Sequence, residues 1–127
     1  MVKLRKRIRS DGSQEWRFNG ILHRPNGPAI IHADGAYSWY LYGELHRTGG
    51  PAVTYADGTQ MWYHHGQRHR EDGPAVIYGV KTEPMYWYWD GKLIMTTDQS
   101  SKKSLPILIE KFNRLRDMHI VEAIMDS

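Results

Sequence analysis

Basic and mostly apolar positions alternate over the first residues of the chain. Every second position is basic, at Lys3, Arg5, Arg7 and Arg9. The intervening positions from Val2 to Ile8 are apolar except for Lys6. A period of two over this length predicts a β-strand. Asp11-Gly12 follows closely and predicts a hairpin turn.

A 23-residue repeat then organises the chain. The segment Gly-x-x-His-Arg-x-x-Gly-Pro-Ala begins at Gly20, Gly43 and Gly66. Asp-Gly pairs and tryptophans keep the same spacing, at Asp11, Asp34, Asp57, Trp16, Trp39 and Trp62. A fixed period of this length is typical of a repeat array.

Each unit predicts two short strands, one after Gly-Pro-Ala and one centred on the tryptophan. Tight Asp-Gly connections join antiparallel neighbours, so we expect a meander of about seven or eight strands. The predicted fold is mainly β, a sheet of 23-residue β-hairpin repeats over residues 1–95. The units span about 11–33, 34–56 and 57–79, with a degenerate unit at 80–95. Terminal units of an array commonly differ because they cap an exposed end.

A polar linker at 96–104 precedes a predicted C-terminal helix. Ser104 stands where an N-cap would, and Pro106 suits a first helical turn. Apolar residues follow at helical spacing, at Leu108, Phe112, Leu115, Met118 and Val121. They predict an amphipathic helix that begins at 105 and continues to about 122. The apolar stretch 120–125 either extends this helix to 125 or forms a strand. We expect the helix to pack on the end or one face of the sheet; binding in a partner's groove is the alternative.

Composition limits the class of protein. The chain of 127 residues fits one domain and has no cysteine, which excludes a disulfide framework and a thiol nucleophile. No apolar run approaches the roughly 18 residues of a transmembrane helix. The basic N-terminus lacks the apolar segment of a secretory signal. We therefore expect a soluble, cytoplasmic protein without a membrane span.

The net charge of +3 is unevenly distributed. Residues 1–9 carry five bases and no acid, residues 11–95 carry seven bases and nine acids, and residues 96–127 carry five of each. The N-terminal strand is therefore a candidate contact for nucleic acid or an acidic partner. The alternative is an edge strand that like charges protect from pairing.

Equivalent residues of a repeat sheet form columns. Large aromatic side chains dominate burial, so one column is predicted to be the core: Trp16, Trp39, Trp62 and Trp87. The opposite face carries tyrosines, at Tyr40, Tyr42, Tyr63, Tyr86 and Tyr88. This face is either a binding patch or a second face covered by the helix.

The repeated His-Arg pairs have a functional and a structural interpretation. The histidines are His23, His46 and His69, and the arginines are Arg24, Arg47 and Arg70. A row of arginines could bind phosphates or carboxylates through paired hydrogen bonds. Structurally, each arginine would pair with an aspartate of the turns or stack on a tryptophan, and each histidine would donate to a carbonyl of the return loop. Recurrence in every unit favours the structural interpretation.

No catalytic or metal-binding arrangement is predicted. His64, His65 and His69 suggest a metal site, but adjacent strand residues point to opposite faces, so His64 and His65 should not share an ion. Carboxylates lie mostly in turns, no serine stands in a nucleophile elbow, and no glycine-rich phosphate loop precedes a helix. We therefore expect no enzyme activity, no cofactor and no metal.

The run His-Arg-x-x-Gly-Pro-Ala, followed by Asp-Gly and Trp-Tyr-x-x-Gly, resembles repeats in proteins of bacteriophages and large DNA viruses. These repeats are similar to a variant of the MORN repeat, whose β-hairpins stack in one elongated sheet. The resemblance covers residues 11–91. It implies an interaction scaffold and carries over no catalytic residues.

The functional hypothesis is a non-enzymatic protein–protein interaction module. The viral resemblance extends it to a protein that binds and inhibits a host protein in the host cytoplasm. Nucleic-acid binding through the basic strand and exposed aromatic residues is the alternative, and self-association through the sheet edges is another. The candidate partner-binding residues are Arg5, Arg7, Arg9, Tyr40, Tyr42, Tyr63, Tyr88, Arg24, Arg47 and Arg70.

Overall fold

The computed structural model describes residues 3–101 and 103–125, with side chains described as far as residue 120. Val2 of the predicted first strand and the side chain of Val121 lie outside this description. The strands are β1 (Leu4–Ile8), β2 (Gln14–Phe18), β3 (Ile21–Leu22), β4 (Ile30–Ile31), β5 (Tyr37–Ser38), β6 (Tyr40–Leu41), β7 (Glu44–Leu45), β8 (Val53–Thr54), β9 (Gln60–Met61), β10 (Tyr63–His64), β11 (Gln67–Arg68), β12 (Val76–Ile77), β13 (Met85–Trp89) and β14 (Lys92–Thr97). The helix α1 spans Leu105–Met125.

The strands form an antiparallel meander followed by one C-terminal helix, which confirms the predicted fold class. The largest sheet has ten strands in the order β1-β2-β4-β5-β8-β9-β12-β13-β14, with β3 paired beside β2. The hairpins β6–β7 and β10–β11 form two further two-stranded ladders.

Each repeat unit contains a third strand that its sequence pattern does not predict. After the tryptophan, the chain reverses at a pair of residues with positive φ, such as Tyr42 at 48° and Gly43 at 83°. Paired positive φ values suit the twist of a hairpin, so β7 pairs with β6. The Gly66 amide also donates to the Leu45 carbonyl at 2.8 Å, which connects β7 to the next unit. The return segment is therefore a strand that joins consecutive units.

The Asp-Gly pairs form the hairpin turns that the sequence predicts. At the second turn, the Asp34 carboxylate accepts from the Ala36 amide at 2.9 Å. Gly35 has a φ of 94°, which glycine adopts without steric cost. Asp11 and Asp57 accept amides in the same way. One aspartate and one glycine per unit are thus explained by the turn.

The predicted tryptophan core exists only in the last unit. Trp87 is completely buried, whereas Trp16, Trp39 and Trp62 are half-buried. In the preceding units, the buried apolar residues come mostly from the strand after Gly-Pro, at Ala29, Ile30, Ala52, Val53, Ala75 and Val76, together with Ala36 beside an Asp-Gly turn. The prediction that the whole tryptophan column forms the core is therefore wrong.

Helix α1 explains why the last tryptophan differs from the others. The helix packs on β13 and β14 through one buried cluster, made of Trp87, Met95, Leu108 and Phe112. The Leu108 amide donates to the Ser104 carbonyl at 3.2 Å, so the helix starts where the N-cap is predicted. Its backbone is helical to Met125, so the alternative strand at 120–125 is wrong. β14 includes Thr97, within the segment predicted as linker.

Alternation along β13 decides which face the helix covers. Trp87 lies under the helix, and the neighbouring Tyr88 points to the other face. The face of the sheet that carries Tyr88 therefore does not lie under helix α1. In the described part of the chain, no helix has the length and apolar character needed to cross a membrane.

Candidate binding surfaces

The repeated arginines cover the repeated tryptophans. Each guanidinium carbon lies over the ring of the tryptophan in its own unit, at 3.8 Å from the ring centre for Arg24, 4.1 Å for Arg47 and 4.0 Å for Arg70. Each group also donates to a proline carbonyl, as Arg47 does to Pro51 at 3.1 Å. A Cβ at Gly50 would lie 2.8 Å from this guanidinium, which explains the glycine before the proline.

These contacts show the predicted stacking of arginine on tryptophan and not the alternative pairing with the turn aspartates. Asp11, Asp34 and Asp57 accept amides of their own turns instead. Cation–π contacts of this kind contribute about 0.5–2 kcal/mol each. The arginine column therefore has a structural role in every unit.

The repeated histidines connect each unit to the next. Nδ1 of His23, His46 and His69 accepts the amide of Tyr42, His65 and Asp90 at 2.9, 3.0 and 3.0 Å, respectively. The sequence predicts that these histidines donate to a carbonyl, and that prediction is wrong. An amide can donate only to a ring nitrogen without a proton. The connection therefore requires an unprotonated Nδ1.

Acidification is expected to destabilise the second junction through His46. Burial lowers the pKa of His46 below its ordinary 6.5, His65 and His64 lower it further, and Glu44 opposes them. The unfolded chain then binds this proton more readily than the folded chain. Stability is therefore complete above about pH 6.5 and decreases as the pH falls through the folded pKa.

Urea denaturation at a series of pH values from about 7.5 to 5.5 would measure this decrease. His46→Asn is the matched variant, because its side-chain oxygen can accept the same amide and does not titrate. The midpoint should fall less with acidification in His46→Asn than in the wild type. Equal decreases would assign the pH dependence to other groups.

A basic cleft lies on the first hairpin. β1 is an edge strand, and all five of its residues are exposed. The register places Arg5 opposite Arg17 and Arg7 opposite Glu15, so these side chains share one face. With Lys3 they line a cleft of about 580 Å³, in which Glu15 is the one acidic residue among the described lining residues.

Glu15 neutralises only part of this charge. Its side chain is 3% exposed and accepts hydrogen bonds from Arg9 at 2.9 Å and Arg17 at 3.2 Å. The bond from Arg9, followed by that from Arg17, lowers the pKa of the carboxyl group and keeps it ionised. Arg9 is thus engaged within the hairpin. Within 3–101 and 103–120, Lys3, Arg5 and Arg7 make no ion pair.

A row of tyrosines continues from the basic cleft along the same face. Arg17, Tyr40, Tyr63 and Tyr88 occupy equivalent positions in successive units, and all four side chains are half-buried. Arg68 joins two of them: Nε donates to the Tyr63 hydroxyl at 3.4 Å, and Nη1 donates to the Tyr88 hydroxyl at 3.2 Å. We call this row the tyrosine face, defined by Arg5, Arg17, Tyr40, Tyr63, Arg68 and Tyr88.

The structure separates the predicted contact residues into two groups. Arg5, Arg7, Arg9, Tyr40, Tyr63 and Tyr88 share the tyrosine-face side of the sheet, whereas Arg24, Arg47 and Arg70 lie on the tryptophan side. Tyr42 also leaves the row, because its positive φ ends the alternation and its ring centre lies 4.2 Å from that of His23.

Arg17 and Arg68 belong to the tyrosine face but are not predicted from the sequence. Arg68 carries a signal that could have identified it, since it replaces the leucine found at Leu22 and Leu45 in the preceding units. A charged residue at an otherwise apolar repeat position points to a local role beyond packing.

Three histidines meet at the junction of the second and third units. His46, His64 and His65 each offer a ring nitrogen within 4.8 Å of the other two. The prediction that His64 and His65 point to opposite faces is wrong. His65 has a φ of 47° and begins the turn, so the strand alternation stops at His64.

The turn carboxylates are poorly suited to proton transfer. Hydrogen bonds from the Ser13 and Thr59 amides lower the pKa values of Asp11 and Asp57. These groups therefore stay ionised near neutral pH and bonded to their own turns. Their arrangement serves turn formation and offers no general acid.

No protein-family model matches the chain, and comparison with curated proteins and with solved structures finds no match.

Proposed function

We propose that this protein is a non-enzymatic binding protein that contacts a protein partner through the tyrosine face. The observation that carries the proposal is the continuous row from Arg5 and Arg17 to Tyr40, Tyr63 and Tyr88. Tyrosine and arginine are the residue types enriched where proteins bind one another.

The geometry of the row supports this role in two ways. Its residues stand on paired strands, so little backbone conformational entropy would be lost when a partner binds. Arg68 holds the hydroxyl groups of Tyr63 and Tyr88 in place before any partner binds. Helix α1 packs on the opposite side of the sheet and leaves this row half-exposed.

The charge of the first hairpin suggests the chemistry of the partner. Lys3, Arg5 and Arg7 would attract an acidic segment and increase the rate of association. We propose an acidic segment at this end and an apolar or aromatic surface along the tyrosines. On the resemblance to viral repeat proteins, we propose a protein of the host cell as the partner.

Nucleic-acid binding is a second candidate, favoured by one specific observation. Arg5 and Arg17 stand directly opposite each other, and like charges in that position are destabilising. A phosphate group between them would relieve the repulsion, and the tyrosines would supply stacking surfaces for bases.

The test is an affinity pull-down from lysate, with and without nuclease, using the wild type and three variants. Tyr63→Ser combined with Tyr88→Ser should abolish capture of a protein partner, because the centre of the contact is lost. Arg5→Ser should reduce the amount captured, because it weakens the attraction of an acidic segment. Tyr42→Ser is the matched control, since Tyr42 is 65% exposed but lies outside the row.

A stoichiometric protein that survives nuclease and is lost only with Tyr63 and Tyr88 supports the proposal. Material that nuclease releases, with a steep salt dependence reduced by Arg5→Ser, supports nucleic-acid binding instead. If the double tyrosine variant and the wild type capture equal amounts, the tyrosine face binds neither a protein partner nor nucleic acid.

A further inference from the structure

We propose that His46, His64 and His65 form a binding site for a divalent transition-metal ion such as Zn²⁺ or Ni²⁺. Their ring centres lie 4.8 Å (His46–His64), 4.2 Å (His46–His65) and 4.6 Å (His64–His65) apart. Imidazole nitrogen is a ligand that these ions prefer, and three of them on one protein suffice for a site completed by water.

The repeat indicates which of these histidines the fold requires. His46 is the repeated histidine. The hydrogen bond from a turn amide to this histidine occurs at all three described junctions, at His23, His46 and His69. The positions equivalent to His64 and His65 hold Leu41 and Tyr42 in the preceding unit and Trp89 and Asp90 in the degenerate unit. Histidine at 64 and 65 is therefore not needed for the junction. The ring contacts themselves recur, since Tyr42 packs on His23 with ring centres 4.2 Å apart and Trp89 on His69 with ring centres 4.5 Å apart. What departs from the repeat is the presence of histidine at both positions, and ligand chemistry explains it.

The three side chains need only modest movement to share an ion. In a tetrahedral site with metal–nitrogen distances near 2.0–2.1 Å, ligand nitrogens are about 3.4 Å apart. The nitrogens here lie within 4.8 Å. His64 and His65 are exposed, so rotation of their side chains can close the difference.

An acidic group stands beside the cluster. A Cβ added at Gly66 would lie 3.4 Å from Oε2 of Glu44, which places this carboxylate next to the turn that begins at His65. Its charge favours a cation there, and water can take the fourth ligand position.

Coordination by His46 competes with the hydrogen bond that Nδ1 accepts from the His65 amide. An ion at Nδ1 takes the lone pair that the amide uses. An ion at Nε2 moves the ring proton to Nδ1, with the same result. Because a ligating histidine is normally supported by an acceptor rather than a donor, we expect a Kd on the order of 10 µM, weaker than that of a structural zinc site.

The experiment is calorimetric titration of the tag-free, full-length chain with ZnCl₂ near pH 7.5, followed by ¹H–¹⁵N spectra of the same sample. One ion should bind per chain, and the His65 amide resonance should shift as its hydrogen bond is lost. His64→Ala and His65→Ala should each weaken binding at least about 10-fold, and the double variant should abolish it. His32→Ala is the control and should bind like the wild type.

Absence of saturable binding up to about 1 mM zinc would overturn the proposal. Binding that persists in the double variant would also overturn it. Both exchanged residues are exposed, and circular dichroism verifies that the double variant is folded before its titration is interpreted. The test uses the metal ion alone, so its outcome is independent of the proposed partner binding.

Discussion

Trp87→Ala should lower the free energy of unfolding by about 3–5 kcal/mol, the range for removing a large aromatic side chain from a packed core. Trp87 is 0% exposed, and its ring centre lies 5.2 Å from that of Phe112. Its Nε1 donates to Thr97 Oγ1 at 2.9 Å, a bond that the substitution also removes. Because Trp87 is the largest side chain in the cluster that joins the last hairpin to helix α1, its loss should also weaken the packing of the helix. Urea denaturation followed by circular dichroism would measure the change.

Trp62→Ala is the matched control, since Trp62 occupies the same repeat position. It is half-buried under Arg70, so we expect roughly half the loss. Phe112→Leu provides a milder test of the same cluster if Trp87→Ala does not fold. Equal losses for Trp62 and Trp87 would show that the helix adds little to the core.

Gly79→Ala should destabilise the protein by about 1–3 kcal/mol, the cost of overpacking a close contact. The repeat pattern alone would predict that this substitution stabilises the protein. Residue 79 follows Ala33 and Ala56 at 23-residue spacing, so alanine would restore the pattern. In the structure, however, a Cβ at Gly79 would overlap the carbonyl oxygen of Asp57. The Gly79 amide donates to Thr59 Oγ1 at 3.0 Å, which limits how far the chain can move away.

Ala56→Gly tests the equivalent position without a clash and should cost less than about 1 kcal/mol. Both variants are compared with the wild type by urea denaturation. A Gly79→Ala protein as stable as the wild type would mean that the chain around residue 79 adjusts freely.

The candidate binding surfaces were only partly predictable from the sequence, because side-chain alternation holds only while a strand continues. It places Tyr40, Tyr63 and Tyr88 together correctly. It fails at Tyr42 and His65, where positive φ values of 48° and 47° reverse the chain. The sequence contains tyrosine and histidine at those turn positions, where asparagine or glycine would have signalled a left-handed loop. Arg17 could not be predicted for a different reason. It joins this face because it stands opposite Arg5, and the sequence does not give the register that pairs the two residues.

The sequence alone determined the antiparallel meander, the Asp-Gly turns and the C-terminal helix. The meander and turns depend on local turn chemistry and on spacing repeated in each unit, and the helix depends on the three- to four-residue spacing of apolar residues after the repeats. The tertiary structure decided which tryptophan is buried, which face the helix covers and which histidines meet. Those outcomes depend on contacts between residues distant in sequence, such as Trp87 with Phe112 and His46 with His65. A repeat assigns the same environment to every copy, and only packing against a non-repeating element makes one copy differ from the others.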